Sequence, residues 1–128
     1  KLKTYRFFDI KQDKLSLNNK VTYTALANAK ELDFLFQKQF AEISDSINSL
    51  LQKFNNKSWE FCEMISTMYA VWNNRIIKNQ TINKEELKKD FLAWDEKKIK
   101  YQDQLDYVIE WMKKEDLVPI GFGKYIEK

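Results

Sequence analysis

A chain of 128 residues is long enough for one domain with a real core and too short to suggest two. Its 44% hydrophobic and 32% charged residues are those of a globular protein rather than a disordered one, and two glycines with one proline favour long helices over a many-stranded sheet. The net charge of +3 includes only two arginines, Arg6 and Arg75, which argues weakly for base reading, and the absence of histidine excludes the usual proton shuttle, the Ser-His and Cys-His nucleophile pairs and histidine-containing zinc sites.

Residues 1–20 carry six basic side chains against Asp9 and Asp13. The aromatic run Tyr5 to Ile10, the alternation of Leu15 and Leu17, and the turn-like Asn18-Asn19 fit either a short strand pair or an irregular arm. An arm or linker docked on helices is the preferred expectation, since a lone hairpin is marginal. Lys1 stands where a starting Met would, so the chain reads as a fragment, the terminal domain of a longer protein.

From Thr24 to Phe54, the positions Ala29, Leu32, Phe36, Phe40, Ile43, Ile47, Leu50 and Phe54 are spaced three or four apart. That seam predicts one long helix of about 30 residues, roughly 45 Å. It packs within the domain or, alternatively, in a coiled coil. Ser58 then caps a core helix over 58–77, where Phe61, Ile65, Met68, Trp72 and Ile76 form a stripe widened by Trp59, Cys62, Tyr69 and Val71. Glu60, Glu63 and the polar exit Asn73-Asn74-Arg75 exclude a membrane span. Cys62, the single cysteine, reads as a small buried hydrophobe in a reduced, cytoplasmic setting.

Residues 82–128 read as helices plus a hairpin. Asn83 and Glu86 make a capping-box-like start for a helix that buries Leu87, Phe91 and Trp94. A further helix over 101–114 presents Tyr101, Leu105, Val108 and Met112, with Ile109 and Trp111 beside them. Leu117-Val118-Pro119-Ile120 and Lys124-Tyr125-Ile126 around Gly121-Phe122-Gly123 predict a small C-terminal β-hairpin, an order of elements like a winged helix. Asp103, Asp106 and Glu110 give its would-be reading helix the wrong sign for DNA. The fold expected is therefore mainly α, a helical bundle around a central buried helix with a small hairpin.

Carboxylate chemistry is what remains for catalysis. Glu60 with Glu63, Glu85 with Glu86, and Asp95 with Glu96 are clustered, but as wet helix edges and helix-end charges rather than converging ligands of a nuclease metal. Glu96-Lys97-Lys98 matches only the Glu-x-Lys half of a nuclease signature. The four tryptophans, Trp59, Trp72, Trp94 and Trp111, lie in periodic apolar runs and read as core. No residue is assigned a catalytic, metal-binding or cofactor role. A DNA-contacting role falls on Lys11, Lys14 and Lys20 of the basic arm and on Lys124 of the hairpin.

The phrases Tyr69-Ala70-Val71-Trp72-Asn73-Asn74, Asp90 to Lys98, and Glu110-Trp111-Met112 followed by Leu117-Val118-Pro119 resemble helical C-terminal segments of bacterial type I restriction-modification subunits. The resemblance covers residues 59–124 and includes no catalytic motif. It implies an accessory or assembly module, with catalysis and ATP hydrolysis elsewhere in the protein. The partners it implies are other domains or subunits of the parent complex. DNA is the alternative partner, and a membrane is not expected.

Overall fold

The structure, a computed structural model, describes residues 8–12 and 21–127. It is mainly helical with a small two-stranded antiparallel sheet, as the composition and periodicity predict. The chain divides into two compact units, Lys1–Gln52 and Lys53–Lys128.

In the first unit, β1 (Phe8–Gln12) pairs antiparallel with β2 (Val21–Ala25), placing Ile10 opposite Tyr23 and Phe8 opposite Ala25. The sheet therefore sits at the N-terminal end, where a strand pair within 1–20 was the second choice to a docked arm; its second strand is Val21–Ala25, which takes Thr24 and Ala25 out of the expected helix. Lys14, Lys20 and the Asn18-Asn19 turn lie outside the described residues. The single long helix is not formed. It is two helices, α1 (Ala29–Gln39) and α2 (Ser44–Phe54). Phe40 leaves helical geometry at φ −123° and ψ 31°, and the Ile43 amide then bonds the Phe40 carbonyl at 3.0 Å. Ser44, buried, donates its hydroxyl to the Ala41 carbonyl at 3.3 Å. Short hydroxyls compete with the backbone in this way, and Ser44-Asp45-Ser46 are residue types favoured where a helix begins. The apolar spacing continues across the break because hydrophobicity does not register it.

The second unit holds α3 (Trp59–Ile77), α4 (Lys84–Trp94), a 3-10 segment (Glu96–Gln104) and α5 (Leu105–Lys114). The caps are those the sequence predicts: the Ser58 side chain accepts from the Phe61 amide at 3.2 Å, and Asn83 from the Glu86 amide at 2.9 Å. Met64, Ile65, Met68, Val71 and Trp72 of α3 meet Leu87 and Phe91 of α4, Tyr101 of the 3-10 segment, and Leu105, Val108, Ile109, Trp111 and Met112 of α5 in one core. Phe54 and Phe61 close one end against Trp111, with ring centroids at 5.6 and 5.0 Å. Trp72 and Trp111 are core residues as expected and Trp94 is partly buried, but Trp59, at the start of α3, is 65% exposed. Cys62 is half-buried rather than buried.

Both α3 and α5 end in the same way. Asn79 (φ 52°) and Asp116 (φ 56°) take the left-handed conformation, and the next amides, Gln80 and Leu117, bond back to Arg75 and Met112 at 2.9 and 2.8 Å. The remainder, 117–127, contains no strand, so the C-terminal hairpin and with it the winged-helix order are not present. The reason lies in α3. The Asn73 amide donates to the Phe122 carbonyl at 2.9 Å and its oxygen accepts from the Gly121 amide at 2.8 Å. Asn74 does the same to Ile126, giving and accepting at 2.7 and 2.9 Å. Two side chains thus supply the backbone bonding that a partner strand would otherwise provide. Asn73, Asn74 and Arg75, expected as a polar exit to water, are all buried.

Gly121 permits the closest approach of this tail. It has φ +80°, and a Cβ there would lie 2.6 Å from Ile76 Cγ2. Gly123 has φ +87°, but a Cβ there meets nothing within 4 Å. Gly121→Ala should therefore cost about 1–3 kcal/mol, clearly more than Gly123→Ala, in urea denaturation. Equal losses would show that the Asn73 clamp does not fix the tail against α3.

Candidate functional site

The second unit holds two bonded polar clusters and a cleft whose residue types could support chemistry. The first centres on Arg75, whose Nε and Nη2 form a fork onto Asp90 at 2.5 and 3.0 Å. Nη2 also reaches Glu86 at 2.6 Å, and Nη1 donates to the Thr81 carbonyl at 2.7 Å. Asp90 before Glu86 raises the already high pKa of the guanidinium. The group is buried, planar and bonded on every side, the arrangement in which arginine fastens one element to another.

The second cluster joins Glu63 of α3 to Lys98 and Tyr101. In a 3-10 helix residues three apart lie directly above one another, which sets these two side chains over the same carboxylate. Lys98 Nζ bonds one Glu63 oxygen, and the Tyr101 hydroxyl donates to the other at 2.7 Å. The bond from Lys98, then that from Tyr101, holds the Glu63 carboxyl below its ordinary value. Burial, then the bond to Glu63, pushes the Tyr101 phenol up to about 12. An ionised carboxylate with both oxygens occupied, beside a phenol that keeps its proton, is a holding arrangement rather than a proton relay. Glu63 is therefore not the free wet edge that the sequence suggested. Among the described residues no group of three or more Asp, Glu, Cys or His converges to hold a metal ion.

The third feature is an open cleft of about 290 Å³ beside the pinned tail, with Asn74, Arg75, Lys78, Trp94 and Tyr125 among its lining residues. Lys78 Nζ lies 3.6 Å from the centre of the Tyr125 ring, Asn74 holds Ile126, and Arg75 is bonded as above. Its polar groups are turned to the tail and α4.

Two of the four lysines proposed for DNA lie among the described residues, one in each unit. Lys11 is exposed on β1 with its Nζ 4.0 Å from Asp9, Lys124 is exposed in the tail of the other unit, and Lys14 and Lys20 lie outside the described residues. The acidic side of α5 is partly matched by α4, with Lys84 on Glu110 at 2.8 Å and Lys88 on Asp106 at 3.3 Å.

Large apolar side chains stand open on both units, among them Ile120 and Phe122 of the tail, but a helix with none of its residues buried is found on the first. No residue of α1 is buried. Leu32 and Phe36 of the predicted seam are half-buried, while Phe34 is 69% and Leu35 54% exposed. On α2, Leu50 and Leu51 are also exposed. The seam drew attention to Leu32, Phe36 and Phe40 and passed over Phe34, which lies on a different face. The signal available in the sequence was the unbroken triplet Phe34-Leu35-Phe36, too wide for one stripe of a helix.

No protein-family model, curated protein or solved structure matches the chain. No helix among the described residues is long and apolar enough to cross a membrane.

The second cluster has a measurable signature. Tyr101 has a folded value above its ordinary 10.0, so its contribution to stability is complete below that pH and is lost as pH rises through about 12. Glu63, lowered, contributes above its ordinary 4.5 and loses that contribution as pH falls through its folded value. Titration of tyrosinate absorbance should show one late tyrosine that disappears in Tyr101→Phe and ionises earlier in Glu63→Gln. A phenol unmoved by Glu63→Gln would break the assignment.

Proposed function

We propose that this chain is a non-catalytic helical assembly module of a bacterial nucleic-acid-processing complex of the restriction-modification kind, with catalysis supplied by other domains or subunits. The observation that carries this reading is α1, an eleven-residue helix that buries none of its own residues and holds Phe34 and Leu35 out to solvent. Covering each such side chain is worth about 1.5–3 kcal/mol. An isolated helix shorter than about 12–15 residues is marginal in water, so α1 gains order when another surface covers it. The commitment of Glu63, Lys98, Tyr101 and Arg75 to internal bonds supports a scaffold over an enzyme. The phrases Tyr69 to Asn74 and Asp90 to Lys98 support the kind of complex. Direct DNA reading gains nothing comparable, since Lys11 sits beside Asp9.

Amide hydrogen exchange tests the reading. The α1 amides should exchange fast in the dilute isolated chain and at least about tenfold more slowly in the assembled complex, whichever surface covers them there, while α5 stays protected throughout. Phe34→Glu should abolish that protection and leave the urea midpoint of the α3–α5 core in place. Unchanged α1 exchange in the assembled complex would overturn the proposal.

A further inference from the structure

We infer that the surface covering α1 is α1 of a second copy of this chain, packed antiparallel about a two-fold axis that passes between Phe34 and Leu35. This rests on the reading of α1 as a docking face and names the occupant. Residues spaced i, i+3, i+4 and i+7 share one face of a helix, and on α1 such a set is Glu31, Phe34, Leu35 and Lys38. All four are exposed. The two in the middle are large and apolar, and the two at the ends carry opposite charge. Neither Glu31 nor Lys38 makes an ion pair with another described residue.

This order is self-complementary in one direction only. Turned antiparallel, the stripe sets Glu31 against Lys38 of the partner and Phe34 against Leu35 of the partner, each pairing made twice as a closed two-fold interface requires. Helix dipoles oppose favourably in the same arrangement. Set parallel, it would place Glu31 on Glu31 and Lys38 on Lys38, and like charges so placed are destabilising. A foreign partner would need only a complement to this stripe, whereas the stripe already is its own. The contact is small beside the ~800 Å² per partner of a standard interface, so the dimer is weak and appears on concentration.

Sedimentation equilibrium of the full chain, from about 10 µM to about 1 mM, should show reversible dimerisation. Lys38→Glu gives a stripe with acid at both ends, and Glu31→Lys one with base at both ends. Each alone should weaken self-association about tenfold or more, and mixing the two should restore a heterodimer near wild-type strength. Urea midpoints matching wild type establish that both variants are folded. The inference is overturned by a chain monomeric throughout, by a dimer indifferent to both swaps, or by a mixture that does not recover. A monomer whose α1 is still protected by the other subunits, and loses that protection in Phe34→Glu, overturns the two-fold pairing while leaving the docking face standing. Absence of both effects removes the two readings together.

Discussion

Five consecutive residues of α3, Val71 to Arg75, are all buried, and successive helical residues point 100° apart, so at this turn the helix is enclosed around its whole circumference. Each direction is closed by a different part of the second unit. Val71 and Trp72 enter the core, Asn73 and Asn74 hold the tail, and Arg75 holds α4. An enclosed turn of this kind requires that its three polar residues be fully bonded, since an unpaired buried charge or amide costs several kcal/mol. They are, and no buried side-chain nitrogen or oxygen among the described residues lacks a partner. The positions of α4 and of the tail follow from meeting that requirement.

The same accounting separates the two units by what they leave over. In the second, Arg75, Glu63, Lys98 and Tyr101 are bonded within the unit, and the cleft beside the tail is lined in part by side chains that already serve the tail or α4. In the first, a strand pair and short helices meet backbone bonding locally, and α1 leaves Phe34 and Leu35 exposed.

Much of the second unit was legible in the sequence because caps and core periodicity are local signals. Ser58 and Asn83 act as written, and Leu87, Phe91, Leu105, Val108 and Met112 are buried as their spacing demands. What was not legible depends on polar side chains acting at long range. Asn73 and Asn74 sit 48 to 52 positions from the tail residues they bind, a link no local pattern carries, so apolar runs around two glycines read as a hairpin. Residues 96–104 gave a helical pattern only from Tyr101, because a 3-10 turn eclipses Lys98 over Tyr101 at a spacing that α periodicity does not isolate. The break at Phe40 to Ser44 escaped for the opposite reason: the apolar seam is regular through it, and only Ser44-Asp45-Ser46 marks a new start.

The seam assigned α1 to a core through Leu32 and Phe36, which are half-buried, and was expected to widen through Leu35 and Leu51, which are instead exposed. A surface helix normally needs one apolar stripe, with polar residues opposite. α1 has a second, shorter one between Glu31 and Lys38, and exposed Phe and Leu side by side do not favour solubility. Because so short a helix draws its stability from packing, covering the second stripe and ordering the helix are one equilibrium, and any partner that binds there also folds it.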